Sequence, residues 1–325
     1  MRAAITILDM GYDYTPTIEQ LQALGIEARY IPLEGTDDRK TICQVLAGYD
    51  FILAGPELYD SEVLQTLSSS LKLIARLGVG VDKINLAAAT GFGIAVCNAP
   101  GGNACSVAQH ALSLMLDLSM NVTKYDRLIR NGRPYRRTMA QDLIGKTVGL
   151  LGFGRISAEL TKLLSGFACR VLAYDVYPNQ ELAASLGVEF VSIDELCASS
   201  DYISLHLPLT ESTHGLVDWQ FFEKMKQSAF FVNTARGPIV NEPDLIRALK
   251  SGLIAGAGLD VFDGPLEGNE LLSLDNVVAT PYVAFSSKLG TQRTFDMAVR
   301  CICSYISGQR PDHLLNPDYI RHIQV

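Results

Sequence analysis

Short apolar runs alternate with stretches of helical periodicity along most of the chain. Residues 3–8 predict a first strand, and residues 17–24 a helix that Gly25 stops. Further strands are expected at 27–32, 49–53, 72–75 and 94–97, with helices over 62–71 and 84–90. After the Pro-Gly-Gly punctuation at 100–102, a long apolar helix is expected from about Asn103 to Met120. Its apolar positions cover more than one face, which suits a domain junction or a subunit interface. Residues 124–142 are polar and rich in arginine and read as a solvated face, with a subunit contact as the alternative.

The alternation then resumes. Strands are expected at 148–151, 171–174, 202–205, 229–232, 254–259 and 277–279, and helices over 155–164, 181–187, 194–198, 219–225 and 242–250. The last of these has Asn241 as N-cap, Pro243 in its first turn and Gly252 as its stop. A final long helix, 287–307, reads as a return crossing to the first part of the chain. Strands separated by helices at this spacing predict an α/β fold of doubly wound parallel sheets with helices on both faces.

One unit carries explicit chemistry. The strand at 148–151 breaks into Gly152-Phe153-Gly154, a helix follows, and the strand at 171–174 ends in Asp175. That is the order of a dinucleotide-binding βαβ unit. Gly152 permits the tight turn, Gly154 lets backbone approach a pyrophosphate, and the helix N-terminus offers N–H donors and a favourable dipole. Asp175, 21 residues past Gly154, is placed to accept from a ribose 2′-hydroxyl. A 2′-phosphate would meet a like charge there, so NAD is expected rather than NADP. The third glycine of the pattern is Ser157. Small size is what that position needs, so Ser is expected to be tolerated; an ordinary Gly-rich turn is the alternative reading.

Composition narrows the rest. At 325 residues the chain has room for two domains, and 48% hydrophobic with 19% charged residues describes a globular protein. A net charge of −8 without a long basic run argues against nucleic acid or an anionic membrane as partner. The seven cysteines form no CxxC pair and read as free thiols in a reducing compartment; no metal site is expected. Residues 1–8 are too short an apolar stretch for a signal peptide, and no run approaches a membrane span, so a cytoplasmic protein is expected.

In open parallel sheets, ligands bind beyond the carboxyl ends of the strands. Asp175, His206, the run Asn233 to Arg236, Asp260 and Tyr282 all follow predicted strands and are expected to converge on one edge.

With these clusters the chain resembles the D-isomer-specific 2-hydroxyacid dehydrogenases, a family that includes phosphoglycerate dehydrogenases, hydroxypyruvate and glyoxylate reductases and D-lactate dehydrogenases. The likeness runs from about Lys72 onward. It rests on Arg76-Leu-Gly-Val-Gly-Val-Asp82, Asn98-Ala-Pro-Gly-Gly-Asn103, Gly152-Phe-Gly-Arg-Ile156, His206-Leu-Pro-Leu-Thr210, Asn233-Thr-Ala-Arg-Gly237, Gly258-Leu-Asp-Val-Phe262 and Asp275-Asn-Val-Val-Ala-Thr-Pro281. The resemblance implies a Rossmann NAD domain (100–286) inserted in a discontinuous, flavodoxin-like substrate domain (1–99 and 287–325), a homodimer, and an active site in the interdomain cleft. The chain's end near 325 implies that the C-terminal extension of longer phosphoglycerate dehydrogenases is absent.

The family's roles carry over as follows. Arg236 matches the catalytic arginine that holds the 2-oxoacid carboxylate and polarises its carbonyl. Val79 and Gly80 match the loop whose N–H groups bind the same carboxylate, and Asp260 the residue at the nicotinamide end. Cofactor contacts are implied for Val107, Gly152, Phe153, Gly154, Arg155, Ile156, Asp175, His206, Leu207, Pro208, Thr213, Thr234 and Ala235. The family's general acid is normally a histidine directly after Thr-Pro, oriented by a glutamate shortly after Asp-Val-Phe. Here that position is Tyr282, no glutamate precedes Pro265 in the shortened segment, and none of His110, His206, His214, His313 and His322 replaces the pair in the motif.

Two readings follow. In one, the protein is an active NAD-dependent reductase whose acid is the Tyr282 phenol or a water held by Asp263 or Glu267. In the other, the fold keeps NAD but has lost the chemistry and serves as an NAD-responsive binding or regulatory protein. The retention of Arg236, the substrate loop and Asp260 favours the reductase. Aromatic residues in the loops that would face the substrate (Tyr12, Tyr14, Tyr59, Tyr282, Phe285) point to an apolar or aromatic substituent, with packing as the alternative.

Overall fold

The computed structural model describes residues 1–33 and 36–322; the side chain of His322 and residues 323–325, the end of the expected substrate-domain segment, lie outside them. The chain divides into two compact units, Met1–Asn103 with Ser286–Val325, and Ala104–Phe285. These boundaries fall four residues after and one residue before those expected from the sequence.

The first unit begins β1 (Arg2–Ile5), α1 (Thr15–Ala23), β2 (Glu27–Tyr30), α2 (Arg39–Leu46), β3 (Phe51–Ala54), α3 (Ser61–Leu67), β4 (Leu73–Arg76), α4 (Leu86–Gly91) and β5 (Ala95–Cys97). All pairings are parallel, in the order β2-β1-β3-β4-β5, the flavodoxin-like arrangement. The strands are short and almost wholly apolar because both faces are covered. Local chemistry sets the helix starts. Asp38 accepts from Thr41 N–H at the start of α2, and Asp60 from Glu62 and Val63 N–H at the start of α3. The sequence pattern missed α2, whose buried residues are Ile42 and Leu46 alone, one turn apart among polar neighbours.

The second unit continues α5 (Ala104–Met120), α6 (Val122–Arg130), β6 (Thr147–Leu151), α7 (Arg155–Leu164), β7 (Arg170–Tyr174), α8 (Gln180–Leu186), β8 (Val188–Phe190), α9 (Ile193–Ser199), β9 (Tyr202–Leu205), α10 (Trp219–Lys224), β10 (Phe230–Asn233), α11 (Glu242–Ser251), β11 (Gly256–Leu259) and β12 (Val277–Ala279). Its sheet is also parallel, in the order β12-β11-β10-β9-β6-β7-β8. The chain builds outward from β6 through β7 to β8, then crosses back to lay β9 on the other side of β6. That reversal opens a crevice beyond the carboxyl ends of β6 and β9. One face of the sheet is closed by α5 and α7, with Leu114, Met115, Leu160 and Leu164 packed on Leu150, Tyr202 and Phe230. The other is closed around Phe222, Phe231, Leu205, Leu245 and Leu249. Each such side chain contributes roughly 1.5–3 kcal/mol by leaving water.

After β12 the chain returns to the first unit as α12 (Lys288–Ile306), started by Ser287, whose hydroxyl accepts from Gly290 N–H. Phe295, Ala298, Val299 and Ile302 of α12 pack on Ile5, Phe51, Leu53 and Leu73, so the last helix completes one face of the first sheet. Among the described residues no helix is long and apolar enough to cross a membrane.

Candidate active site

The carboxyl edge of the second sheet collects the expected residues in spatial order. Tyr282 follows β12, Asp260 follows β11, Asn233 ends β10 with Thr234 to Arg236 after it, His206 follows β9, Gly152 follows β6 and Asp175 follows β7.

At the crevice, Gly152 has φ +98°, and a Cβ there would sit 3.0 Å from the His206 carbonyl. Only glycine combines that conformation with that approach. Ser157, in place of the third glycine, donates its hydroxyl to Gly152 O at 2.6 Å and is fully buried. It is small enough for helix–strand packing and also ties the first helical turn to the glycine turn. Asp175 accepts from Phe153 N–H at 2.7 Å through Oδ2 and from Tyr177 N–H at 2.8 Å through Oδ1. Each carboxylate oxygen keeps a second lone pair for a further donor. The Phe153 ring is buried edge-on against Phe190, so only its backbone is available in the turn.

Beside the glycine turn, both ring nitrogens of His206 are buried without a hydrogen-bond partner among the described residues, as is Thr234 Oγ1. Burial alone pushes the His206 pKa down to about 4, so the ring is neutral near pH 7. Buried polar atoms without partners are rare in folded proteins. Two such side chains on the adjacent strand ends β9 and β10, next to a glycine that clears room for a third group, fit a bound dinucleotide. Val107 is buried on α5 and Leu207 is buried after His206, whereas Pro208 is exposed. Thr213 donates to Pro208 O at 2.7 Å and so shapes the loop through its own hydroxyl.

Arg236 is held by its own turn. Asn233 Oδ1 accepts from Ala235 N–H at 2.9 Å, Asn233 Nδ2 donates to Arg236 O at 3.0 Å, and the guanidinium Nη1 donates to Ala235 O at 2.7 Å. The next residue has no alternative to glycine. A Cβ on Gly237 would lie 2.0 Å from Phe262 O, so the loop carrying Arg236 lies against the loop following Asp260. Asp260 is 1% exposed, and Tyr282 is 37% exposed with φ +56° and its ring tilted against Phe285 at 5.3 Å.

In the first unit, Val79 and Gly80 follow β4. Asn98 Nδ2 donates to Val79 O at 2.9 Å, and Arg76 Nε donates to Gly80 O at 3.2 Å. Because the peptide is trans, fixing the Val79 carbonyl turns the Gly80 N–H the opposite way. For two aromatic residues of this unit the packing alternative holds: Tyr14 and Tyr59 are core residues, 6% and 0% exposed, the first stacked on Tyr30.

Comparison with known proteins decides the family. Residues 112–284 match the model of the D-isomer specific 2-hydroxyacid dehydrogenase NAD binding domain. The chain belongs to the D-isomer-specific 2-hydroxyacid dehydrogenase family. It is 46% identical over 275 residues to a D-3-phosphoglycerate dehydrogenase of Archaeoglobus fulgidus, covering 83% of this chain and 51% of that protein. It is 35% identical to a glyoxylate reductase of Korarchaeum cryptofilum, covering 81% of each. The chain thus spans about half the length of the archaeal phosphoglycerate dehydrogenase. The apo D-lactate dehydrogenase of Escherichia coli superposes with a TM-score of 0.85 at 27% identity, over 97% of this chain and 100% of that one. NAD is the cofactor of the matched domain.

Within the second unit, one side chain at the site was not singled out from the sequence. His110, on α5, lies far in sequence from the strand-end residues of the second sheet, yet its Nε2 is 2.8 Å from Thr280 Oγ1, which is 2.6 Å from Asp260 Oδ1. The only signal available was a histidine on the helix that opens the NAD domain.

Proposed function

We propose that this protein is an NAD-dependent oxidoreductase of small 2-oxoacids and D-2-hydroxyacids. The observation that carries the reading is the placement of Arg236, Asp260 and Tyr282 after three consecutive neighbouring strands, β10, β11 and β12, beside the dinucleotide crevice. Phosphoglycerate dehydrogenase and glyoxylate reductase among its relatives both belong to this reaction class.

Bound NADH supplies a hydride to the C2 carbonyl carbon. The residues of this chain supply everything else. The glycine turn and the N-terminus of α7 are assigned to the pyrophosphate, Asp175 to the adenosine ribose, and His206, Thr234 and Asp260 to the remainder of the cofactor. Arg236 is assigned to the substrate carboxylate, where a planar guanidinium gives two parallel donors and draws charge toward the carbonyl. Val79 and Gly80 are assigned to the same carboxylate through their N–H groups.

The growing alkoxide at C2 needs a proton, and we assign its donor to the Tyr282 phenol, at the position directly after Thr280-Pro281 where the family resemblance implies a histidine. A phenol is a competent proton donor and a weak base at neutral pH. Reduction is therefore favoured kinetically over oxidation. The test is NADH consumption against glyoxylate, hydroxypyruvate, pyruvate, 2-oxoisocaproate, phenylpyruvate and oxaloacetate, with Arg236→Ala as control. Turnover that vanishes in the control supports the assignment. Tight NADH binding without turnover on any of the six would reject it.

A further inference from the structure

We propose that His110 is a positioning residue that fixes the Tyr282 corner through a hydrogen-bond relay, His110 to Thr280 to Asp260. The inference rests on Tyr282 acting in the reaction proposed above. All members lie in the second unit, on α5 and the segments following β11 and β12.

Asp260 binds the corner at four points. Its Oδ1 accepts from Thr280 Oγ1 at 2.6 Å and Val283 N–H at 2.9 Å, and its Oδ2 from Ala284 N–H at 2.9 Å. Its backbone carbonyl accepts from Tyr282 N–H, also at 2.9 Å. Tyr282 through Ala284 are therefore held in a row by one residue. The restraint has work to oppose, because Tyr282 sits at φ +56°, in the left-handed region that a bulky side chain avoids.

The direction of the relay follows from donor and acceptor inventory. An ionised carboxylate only accepts, so the Thr280 hydroxyl gives its proton to Asp260. The lone pair left on Thr280 then faces His110, and the ring must present Nε2–H to it. His110 Nε2 also lies 3.6 Å from Asp260 Oδ1, where a positive edge stabilises a carboxylate that is 1% exposed. A histidine presenting a bare Nε2 would oppose two oxygen lone pairs and release Thr280 to turn away from Asp260. The imidazole thus acts as a fixed donor, and either its Nε2–H neutral tautomer or its cation serves.

Two measurements test this. In the apoprotein labelled with 15N-histidine, long-range 15N–1H correlation assigned with H110Q is expected to show proton occupancy on Nε2; a bare Nε2 overturns the relay. In steady-state reduction of the preferred 2-oxoacid, H110F and T280V are each expected to lower kcat by about ten-fold or more. The double variant should lose little more than either one, as members of one chain do. H110Q, whose amide N–H reaches the same place, should recover most of the rate. A full rate in H110F, or an H110Q as poor as H110F, overturns the proposal. So does a limb of the pH profile that disappears in H110Q, since that is acid–base chemistry rather than positioning. Absence of turnover in the unmodified protein would reject the reductase reading, while the apoprotein spectrum still decides the relay.

Discussion

Two side chains of the candidate site can be separated by what each variant changes. Arg236→Ala is expected to lower kcat/KM by roughly 10²–10⁴, the worth of a pair of charge-assisted hydrogen bonds, with little change in melting temperature. Arg236→Lys should restore only a minor part, because a point charge replaces a planar fork. Steady-state kinetics with the best 2-oxoacid checks both. Tyr282→Phe is expected to cost 10²–10⁴ in kcat if the phenol is the acid. A full rate would shift the role to a water held by Asp263 or Glu267. Tyr282→Gly carries an opposing signature: relief of the positive φ should raise stability by about 1 kcal/mol while activity falls. Thermal melts and turnover on one preparation read both. Arg236 and Tyr282 were legible in the sequence because each follows a strand within a dense motif. His110 was not, because its significance comes from α5 crossing to β12, a contact 170 residues apart that no local pattern records.

At the scale of elements, the glycine turn between β6 and α7 is the most demanding piece of backbone. Gly152→Ala adds a methyl 3.0 Å from the His206 carbonyl at φ +98°. The expected result is a loss of about 1–3 kcal/mol of stability and at least ten-fold weaker NADH binding, read by denaturant melts and by NADH fluorescence titration. Ser157→Ala should be milder, near 1 kcal/mol, since it loses the 2.6 Å bond to Gly152 O and leaves packing intact. The strands and helices around this turn could be read directly, because apolar runs and helical periodicity alternate there without ambiguity. The elements missed, α2, α6 and β8, are those whose buried residues are too few to make a period; α6 has none. β8 is a three-residue edge strand with Glu189 facing outward at its centre. Turn chemistry told more than periodicity where both were present, as at α11, which Asn241 starts through its bond to Asp244 N–H and Gly252 ends.

For the whole molecule, pH is expected to act on the two units in opposite directions. His206, with its pKa lowered to about 4, takes up a proton more readily unfolded than folded. The unfolded chain therefore binds more protons between about pH 4 and 6.5, so the second unit gains stability as pH rises through that window and loses it on acidification. Glu57 in the first unit has the contrary sign. It is 1% exposed, hydrogen-bonded by Thr6 and Tyr59, and burial raises its pKa. Its contribution is complete below the unfolded carboxyl pKa and fades as pH rises through the folded one. Melts across pH 4–8 should show the acid loss flattened in His206→Leu and the loss at higher pH reduced in Glu57→Gln.

The path of the chain between units has a consequence for synthesis. The first sheet needs α12 to cover Ile5, Phe51, Leu53 and Leu73, but α12 is translated only after the entire second unit. At about 5–20 residues per second, a nascent chain carries that apolar face uncovered for roughly ten seconds or more. During this interval the second unit can already close on itself, while the first presents a row of buried-to-be strands to whatever meets it at the ribosome. Hsp70-type chaperones or trigger factors scanning nascent chains should therefore engage residues 1–97 and release them when the last helix emerges.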